Sequence, residues 1–500
     1  MKITKKLLAI AIVLVLILSL GVSALAADDV TYSTTITYTG AKKGETYSLY
    51  KMLDLSVDSQ TAPTAYRYTV NSAWSGFFGT GGAGAAYVTI DATDGHITWN
   101  TNKQTDADLI AFAQAAAAYA AANNIAAVES ITPSADGDIT FPSSGTLANG
   151  YYLITSTLGT KAVVGTSPIA SSPQVGEKNA LDTITKLVKE DSTGTFGAAN
   201  DAQIGDEVEF KSTVTLVPYT RNVKIHDVMD AGLTFVTGSI AIQAGDSALA
   251  AANYEVQATP DTGDTFTIQI KDTYLAGLTA ETTLTVTYKA KLNKSVVGTE
   301  NNSTVLVDQD NETWLTFGKA QETTHATTTT STHSVVIYKH AANKTDNLAG
   351  AIFQLLKGDS TDPIKLYKIS DTEYRIADAT ETGTASSHKG DNGAVNTIQA
   401  GNLVSDFISV ATGKITIYGL DSDNDYKLKE IQAPEGYNLP TSTFALTFSN
   451  NSFAEADIAN QAGIVLPSTG GIGTTMFYII GGIFAIGAAV VLIAKKRVSE

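Results

Sequence analysis

Of the residue types able to do covalent chemistry, cysteine is missing altogether. No disulfide can brace the chain, although small extracellular domains often depend on them. The sequence holds no glycine cradle for a phosphate, no Ser-His-Asp arrangement anchored by a nucleophile elbow, and no Cys/His cluster with metal-ligand spacing. No cofactor and no metal is therefore expected. His226 reads as a core histidine or an isolated metal-ligand type, without partners of ligand spacing nearby. The acidic stretches Asp308 to Asp310 and Asp421 to Asp425 read as solvated turns, with a surface Ca²⁺ site as the alternative. The most informative chemistry lies at the C-terminus, where Leu466, Pro467, Ser468, Thr469 and Gly470 precede an uncharged apolar run from Thr474 to Ala494 and then Lys495, Lys496 and Arg497. At roughly 1.5 Å per residue that run reaches about the 30 Å of a hydrocarbon core. The cations behind it would remain in the cytoplasm and leave the rest of the chain outside.

The other end agrees with export. Lys2, Lys5 and Lys6 precede an apolar stretch from Leu7 to Val22, and Ala24, Leu25 and Ala26 supply a small-residue cleavage site. Cleavage is expected between Ala26 and Ala27. The order of pentapeptide, apolar span and basic tail resembles the cell-wall sorting signal of Gram-positive surface proteins. In that family a sortase cuts between the threonine and the glycine, here Thr469 and Gly470, and passes the threonine carbonyl to an amine. The resemblance implies sortase and peptidoglycan as partners and a location on the Gram-positive cell wall.

The elements that must carry any site are β-strands. Thr34 to Thr39, Glu207 to Leu216, Thr283 to Lys291 and Thr443 to Phe448 largely alternate apolar with polar or small residues at period two. Turn signals such as Asp94-Gly95, Asp136-Gly137 and Ala231-Gly232 punctuate them. The expected fold is all-β: tandem immunoglobulin-like sandwiches, with one Ala-rich helix over Thr105 to Asn124 packed on the first. A loop-like hinge at Ser171 to Asn179 and a threonine run between Thr323 and Ser334 divide the chain. The resulting segments are a signal peptide at 1–26, β domains at 27–175, 176–322 and 333–463, and a sorting segment with a membrane-spanning helix at 466–500. The threonine run suits either a flexible linker or an extended strand. Hydrophobic residues make up 43% of the sequence, enough for globular domains, and the net charge of −17 disfavours nucleic acid as a partner.

Four ordered motifs give the third segment a closer resemblance. Val335 to Lys339, Leu348 to Leu355, Tyr426 to Tyr437 and Ile458 to Asn460 look like a Cna-B-type domain. In that family a lysine, a glutamate and an asparagine meet in the core and form a spontaneous isopeptide bond, which implies Lys339, Glu430 and Asn460 here. A lysine buried among apolar side chains presents a neutral nucleophilic amine, while a buried carboxylic acid shuttles protons and polarises the amide. Such a bond answers the missing cysteines.

In the second segment Ile184 to Val188, Ile204 to Phe210, Val223 to Leu233 and Glu300 to Leu306 resemble the isopeptide-forming second domain of fimbrial shaft subunits. That implies Lys186 as nucleophile, Asp227 as carboxylate and Asn302 as electrophile. Lys189 would point to the opposite face of the strand from Lys186, Asn301 competes with Asn302, and Asp230 is a rival carboxylate beside a turn. Gly44 to Lys51 and Gly150 to Ile154 resemble an N-terminal fimbrial domain. Gln174 to Asn179 stands where shaft pilins carry Tyr-Pro-Lys-Asn, with Gly176 and Glu177 replacing the first pair. Lys178 would then attack the acyl-enzyme formed on Thr469 of the next copy, building a head-to-tail fibre. The resemblance thus implies a major shaft pilin whose partners are sortases, other copies of itself, accessory pilins and peptidoglycan, and which is no enzyme toward external substrates. The alternative is a monomeric wall-anchored adhesin or accessory pilin binding a host surface ligand.

Overall fold

The computed structural model describes residues 33–57, 66–167, 173–177, 181–449, 453–463 and 473–498. The signal cleavage site at Ala26 and Ala27, Lys178, and the pentapeptide Leu466, Pro467, Ser468, Thr469 and Gly470 lie outside them. The chain divides into two compact units. One consists of Met1–Asp201, Asp206–Val296 and Asp308–Ser331, the other of Ala202–Gly205, Val297–Val307 and Thr332–Glu500.

The first unit contains two sets of sheets. In the N-terminal set, Tyr47–Val57 lies between Gly150–Ser156 and Tyr66–Val70, and Ile36–Ala41 lies between Gly137–Phe141 and Gln174–Gly176. Tyr38, Tyr47, Leu49, Phe141, Tyr152 and Ile154 fill one core cluster. The Ala-rich segment forms the expected helix, Asp106–Ala122. Thr105 caps it by accepting a hydrogen bond from the backbone N–H of Asp108 at 3.2 Å. Phe112, Ala113, Ala116 and Ala120 on its inner face pack with Trp74 and Phe77 in a second cluster, where alanine lets the helix approach the sheet closely.

The second set in this unit is a sandwich of two seven-stranded sheets. One centres on Thr183–Lys189, Glu207–Leu216 and Thr282–Leu292, the other on Ala326–Ser331, Gln309–Phe317, Lys224–Met229 and Phe266–Ile270. The alternation written in Glu207 to Leu216 is realised directly: Val208, Phe210, Ser212, Val214 and Leu216 are buried and the residues between them are not. The threonine run resolves in favour of strand, since Ala326–Ser331 pairs antiparallel with Gln309–Thr313 and parallel with Ala199–Asp201. This carries the sandwich beyond residue 322.

In the second unit, His333–Ala341 lies between Lys414–Leu420 and Phe453–Asn460 in a seven-stranded sheet. A four-stranded sheet built around Ile352–Lys357 and Tyr426–Gln432 accompanies it. The expected strand over Thr443 to Phe448 divides into Phe444–Ala445, which joins the four-stranded sheet, and Phe448–Ser449, which joins the other. At the C-terminus Gly473–Val498 is helical. Its side chains are described continuously over 478–493, where the large apolar ones are exposed, from Tyr478 and Ile479 to Leu492 and Ile493. Among the described residues no helix is long and apolar enough to cross a membrane. The expected span over 474–494 extends past the continuously described side chains and stays a reading of the sequence.

Candidate functional site

Strand alternation decides which lysine of Thr183–Lys189 enters the second sandwich. Ile184, Lys186 and Val188 point inward, whereas Lys189 lies on the other face and pairs with Glu209 at 3.0 Å. The Lys186 amine sits over the rings of Phe210 and Tyr288, at 5.6 and 5.3 Å from their centroids. It donates to Asp227 Oδ2 at 2.6 Å, Tyr288 Oη at 2.6 Å and Asn311 Oδ1 at 2.7 Å. Asp227 and Asn311 come from the neighbouring strands Lys224–Met229 and Gln309–Phe317, whose register pairs Met229 with Asn311 and Asp227 with Thr313. The carboxylate and the amide are thus diagonal neighbours on one face, opposite the sheet that supplies the lysine.

Charge is poorly supported in this pocket. Lys186 and Asp227 side chains are 0% and 1% exposed. Burial pushes the Lys186 amine below the usual lysine range, with Asp227 pulling the other way, and pushes the Asp227 carboxyl up against the opposing pull of Lys186. Desolvation leads in both, so the pair is biased toward neutral amine and protonated acid, the forms a nucleophile and a proton shuttle need. Asp227 Oδ1 is buried without a hydrogen-bond partner, so the second carboxyl oxygen is not committed elsewhere.

The electrophile expected at residue 302 is a correction. Asn302 is exposed and, with Asn301, forms the turn between the strands Val297–Glu300 and Ser303–Leu306, at φ values of 49° and 62°. Asparagine tolerates that left-handed backbone, and an Asn-Asn pair is a hairpin-turn signal. Asn311 takes the place beside Lys186. The signal for it was period two: Asn311 is in phase with Thr313, Leu315 and Phe317, all buried on the same strand. Asp230, the rival carboxylate, lies exposed and accepts the backbone N–H of Asp310 at 2.8 Å. His226 is a buried ring stacked on Trp314 at 5.1 Å, with Nδ1 2.8 Å from Asp264 and 3.9 Å from Asp261. Tyr288 at the centre of the cluster was not singled out from the sequence.

The second unit gathers the other expected trio in a different arrangement. Lys339 is 0%, Glu430 3% and Asn460 1% exposed. Lysine and asparagine lie on adjacent parallel strands, His333–Ala341 and Phe453–Asn460, with Lys339 opposite Ile458 and Ala341 opposite Asn460. The glutamate comes from Tyr426–Gln432 in the other sheet. Asn460 Nδ2 donates to Glu430 Oε1 at 2.6 Å, while the Lys339 amine donates to the carbonyls of His340 and Ile458 at 3.2 and 3.3 Å. Asn460 Oδ1 and Glu430 Oε2 are buried without partners. Burial holds Lys339 below and Glu430 above their ordinary ranges, each opposed by the other's charge and Glu430 also by the Asn460 hydrogen bond.

Two family models match the sequence: a prealbumin-like fold domain, SpaA, over residues 333–462, and an LPXTG cell wall anchor motif over residues 459–500. This is a cell-wall-anchored surface protein. Its prealbumin-like domain is the one that holds Lys339, Glu430 and Asn460. Among solved structures, the full-length major pilin SpaD of Corynebacterium diphtheriae is 15% identical with a TM-score of 0.43, covering 86% of this chain and 98% of its own. The full-length RrgB pilus protein of Streptococcus pneumoniae is 14% identical with a TM-score of 0.43, covering 89% and 100%. BcpA, the major pilin subunit of Bacillus cereus, is 14% identical with a TM-score of 0.39, covering 86% and 99%. No curated protein matches the sequence.

Proposed function

We propose that the chain is a shaft subunit of a covalently polymerised, wall-anchored pilus, stiffened by intramolecular isopeptide bonds from Lys186 to Asn311 and from Lys339 to Asn460. The observation that carries this reading is the cluster in which one buried amine touches both a carboxylate and a carboxamide at 2.6 and 2.7 Å. Reacting groups held at such distances need no external enzyme, because folding supplies the proximity that a binding site otherwise would. In each bond the lysine nitrogen attacks the asparagine Cγ and ammonia leaves, with Asp227 or Glu430 moving the protons. Burying a lysine and an acid together without such a purpose is costly, and apolar residues of similar size would often be as stable.

On the same reading, sortase cleaves between Thr469 and Gly470 and joins the threonine carbonyl to Lys178 of another copy, and accessory pilins and peptidoglycan are further acyl acceptors or donors. Support for Lys178 comes from its neighbour. Glu177, which stands where the family motif has proline, accepts hydrogen bonds from the hydroxyls of Tyr38 at 3.1 Å, Ser156 at 3.3 Å and Thr160, and its N–H donates to Thr39 at 2.8 Å. The backbone is thus clamped one residue before the lysine. An intact-mass measurement with peptide mapping tests the internal chemistry. A deficit of two ammonia molecules, mapped to Lys186 with Asn311 and Lys339 with Asn460, is expected. Full mass in folded protein would leave a wall-anchored protein of another kind, such as a monomeric adhesin.

A further inference from the structure

We propose that Tyr288 is a catalytic residue of the Lys186 to Asn311 bond, carrying the proton from Asp227 to the departing nitrogen of Asn311. The proposal rests on the isopeptide reading above. Its basis is position. The Tyr288 hydroxyl donates to Asp227 Oδ2, accepts from the Lys186 amine at 2.6 Å, and accepts from Asn311 Nδ2 at 3.2 Å. It is therefore the group that touches the acid, the nucleophile and the leaving nitrogen together. Asp227 accepts hydrogen bonds from the nucleophile and from Tyr288, whereas the leaving nitrogen donates its hydrogen bond to the tyrosine.

The Lys186 ammonium gives one proton to the Asp227 carboxylate, leaving a neutral amine and a carboxylic acid. The amine lone pair forms the N–C bond at Asn311 Cγ, and the carbonyl electrons move to Oδ1. Tyr288 passes its proton to Nδ2 while taking one from Asp227. The C–Nδ2 bond then breaks, the carbonyl re-forms and ammonia leaves. Finally the attacking nitrogen returns its surplus proton to Asp227, which ends protonated. Tyr288 is unchanged. Burial and the neighbouring Asp227 hold the phenol far above its ordinary pKa, so it enters the sequence as a donor and not as a phenolate.

The other trio supplies a control inside the same molecule, because Asn460 Nδ2 donates directly to Glu430 and no hydroxyl stands between them. Tyr288→Phe keeps the ring, which stacks on Phe210 at 5.5 Å and meets Phe266 edge-on at 4.9 Å, and removes only the hydroxyl. The experiment is a pulse-chase of the full chain in its host, following the Lys186 to Asn311 and Lys339 to Asn460 cross-linked peptides by mass spectrometry. Tyr288→Phe is expected to slow the first by about a hundredfold or more, in line with the range for a lost general acid, and to leave the second at its wild-type rate. Phe210→Leu, which disturbs the packing but keeps the hydroxyl, is expected to slow the first far less. Wild-type kinetics in Tyr288→Phe, or equal slowing in Phe210→Leu, would overturn the role of Tyr288. Absence of the Lys186 product from the wild-type chain would instead remove the isopeptide reading itself.

Discussion

Lys186 and Asp227 illustrate why a buried ion pair can be chemically useful when it contributes little to stability. Each charged form is disfavoured by burial and opposed chiefly by its partner's charge, with the Tyr288 hydrogen bond also favouring the Asp227 carboxylate. Removing the acid should therefore stop the proton transfers while leaving the amine buried. We expect Asp227→Ala to abolish the Lys186 to Asn311 product and to leave the Lys339 to Asn460 product intact, as read by peptide mapping. A second buried acid predicts a pH effect. Asp182 accepts hydrogen bonds from the Val217 N–H at 2.8 Å and the Thr220 hydroxyl at 2.5 Å, yet burial raises its pKa from 3.8 to about 6. The folded chain holds this proton over a window where the unfolded chain has lost it. Its contribution is fully present below about pH 4 and is lost as pH rises to about 6, a change of roughly 2–3 kcal/mol. Urea unfolding between those pH values should show this fall, and Asp182→Asn should flatten it. Both Lys186 and Asp227 were identifiable from sequence because alternation and motif agreed. Asn311 was not, because an Asn-Asn pair inside a family-like motif outweighed a single asparagine whose importance lay only in its phase along a strand.

Strands differ in what a cross-link between them would restrain. The Lys186 to Asn311 bond would join opposite sheets of a sandwich, whereas Lys339 to Asn460 would join two adjacent parallel strands already paired from Ser334 with Phe453 to Ala341 with Asn460. Those strands come from opposite ends of the prealbumin-like domain, so the bond would close a loop of about 120 residues, worth about 4–5 kcal/mol in the chain-entropy view. Glu430→Gln preserves size and should prevent the bond. We expect a loss of stability of that order in the corresponding transition of the full chain, measured by guanidinium unfolding, with the Lys186 to Asn311 bond still present. Period-two alternation foretold Glu207–Leu216 and Thr282–Leu292, and alanine content foretold the helix Asp106–Ala122. Strand order was beyond reach, because pairing such as His333–Ala341 with Phe453–Asn460 depends on contacts far apart in sequence. The threonine run was ambiguous for a physical reason: the same β-branched residues suit a linker and a strand, and only the partner strands Gln309–Phe317 and Ala199–Asp201 decide between them.

A filament built from this chain would need strength without cysteine at two levels, within each subunit and between subunits. The proposed internal bonds would address the first; Lys178 and Thr469 are proposed for the second. The net charge of −17 favours solubility and opposes nonspecific association between copies, so a covalent link is a natural way to hold them in series. Glu177, the residue that precedes Lys178 in the sequence, is clamped by Tyr38, Ser156 and Thr160. Lys178→Ala should therefore abolish the ladder of polymers seen on a denaturing gel of wall extract, while the monomer remains attached to the wall through Thr469. Glu177→Ala should weaken the ladder severalfold without removing it, because the amine survives and only its presentation suffers. Persistence of a full ladder in Lys178→Ala would place the linking amine on another lysine. A wild-type wall extract that contains monomer alone would favour the adhesin, for which no subunit linkage is required.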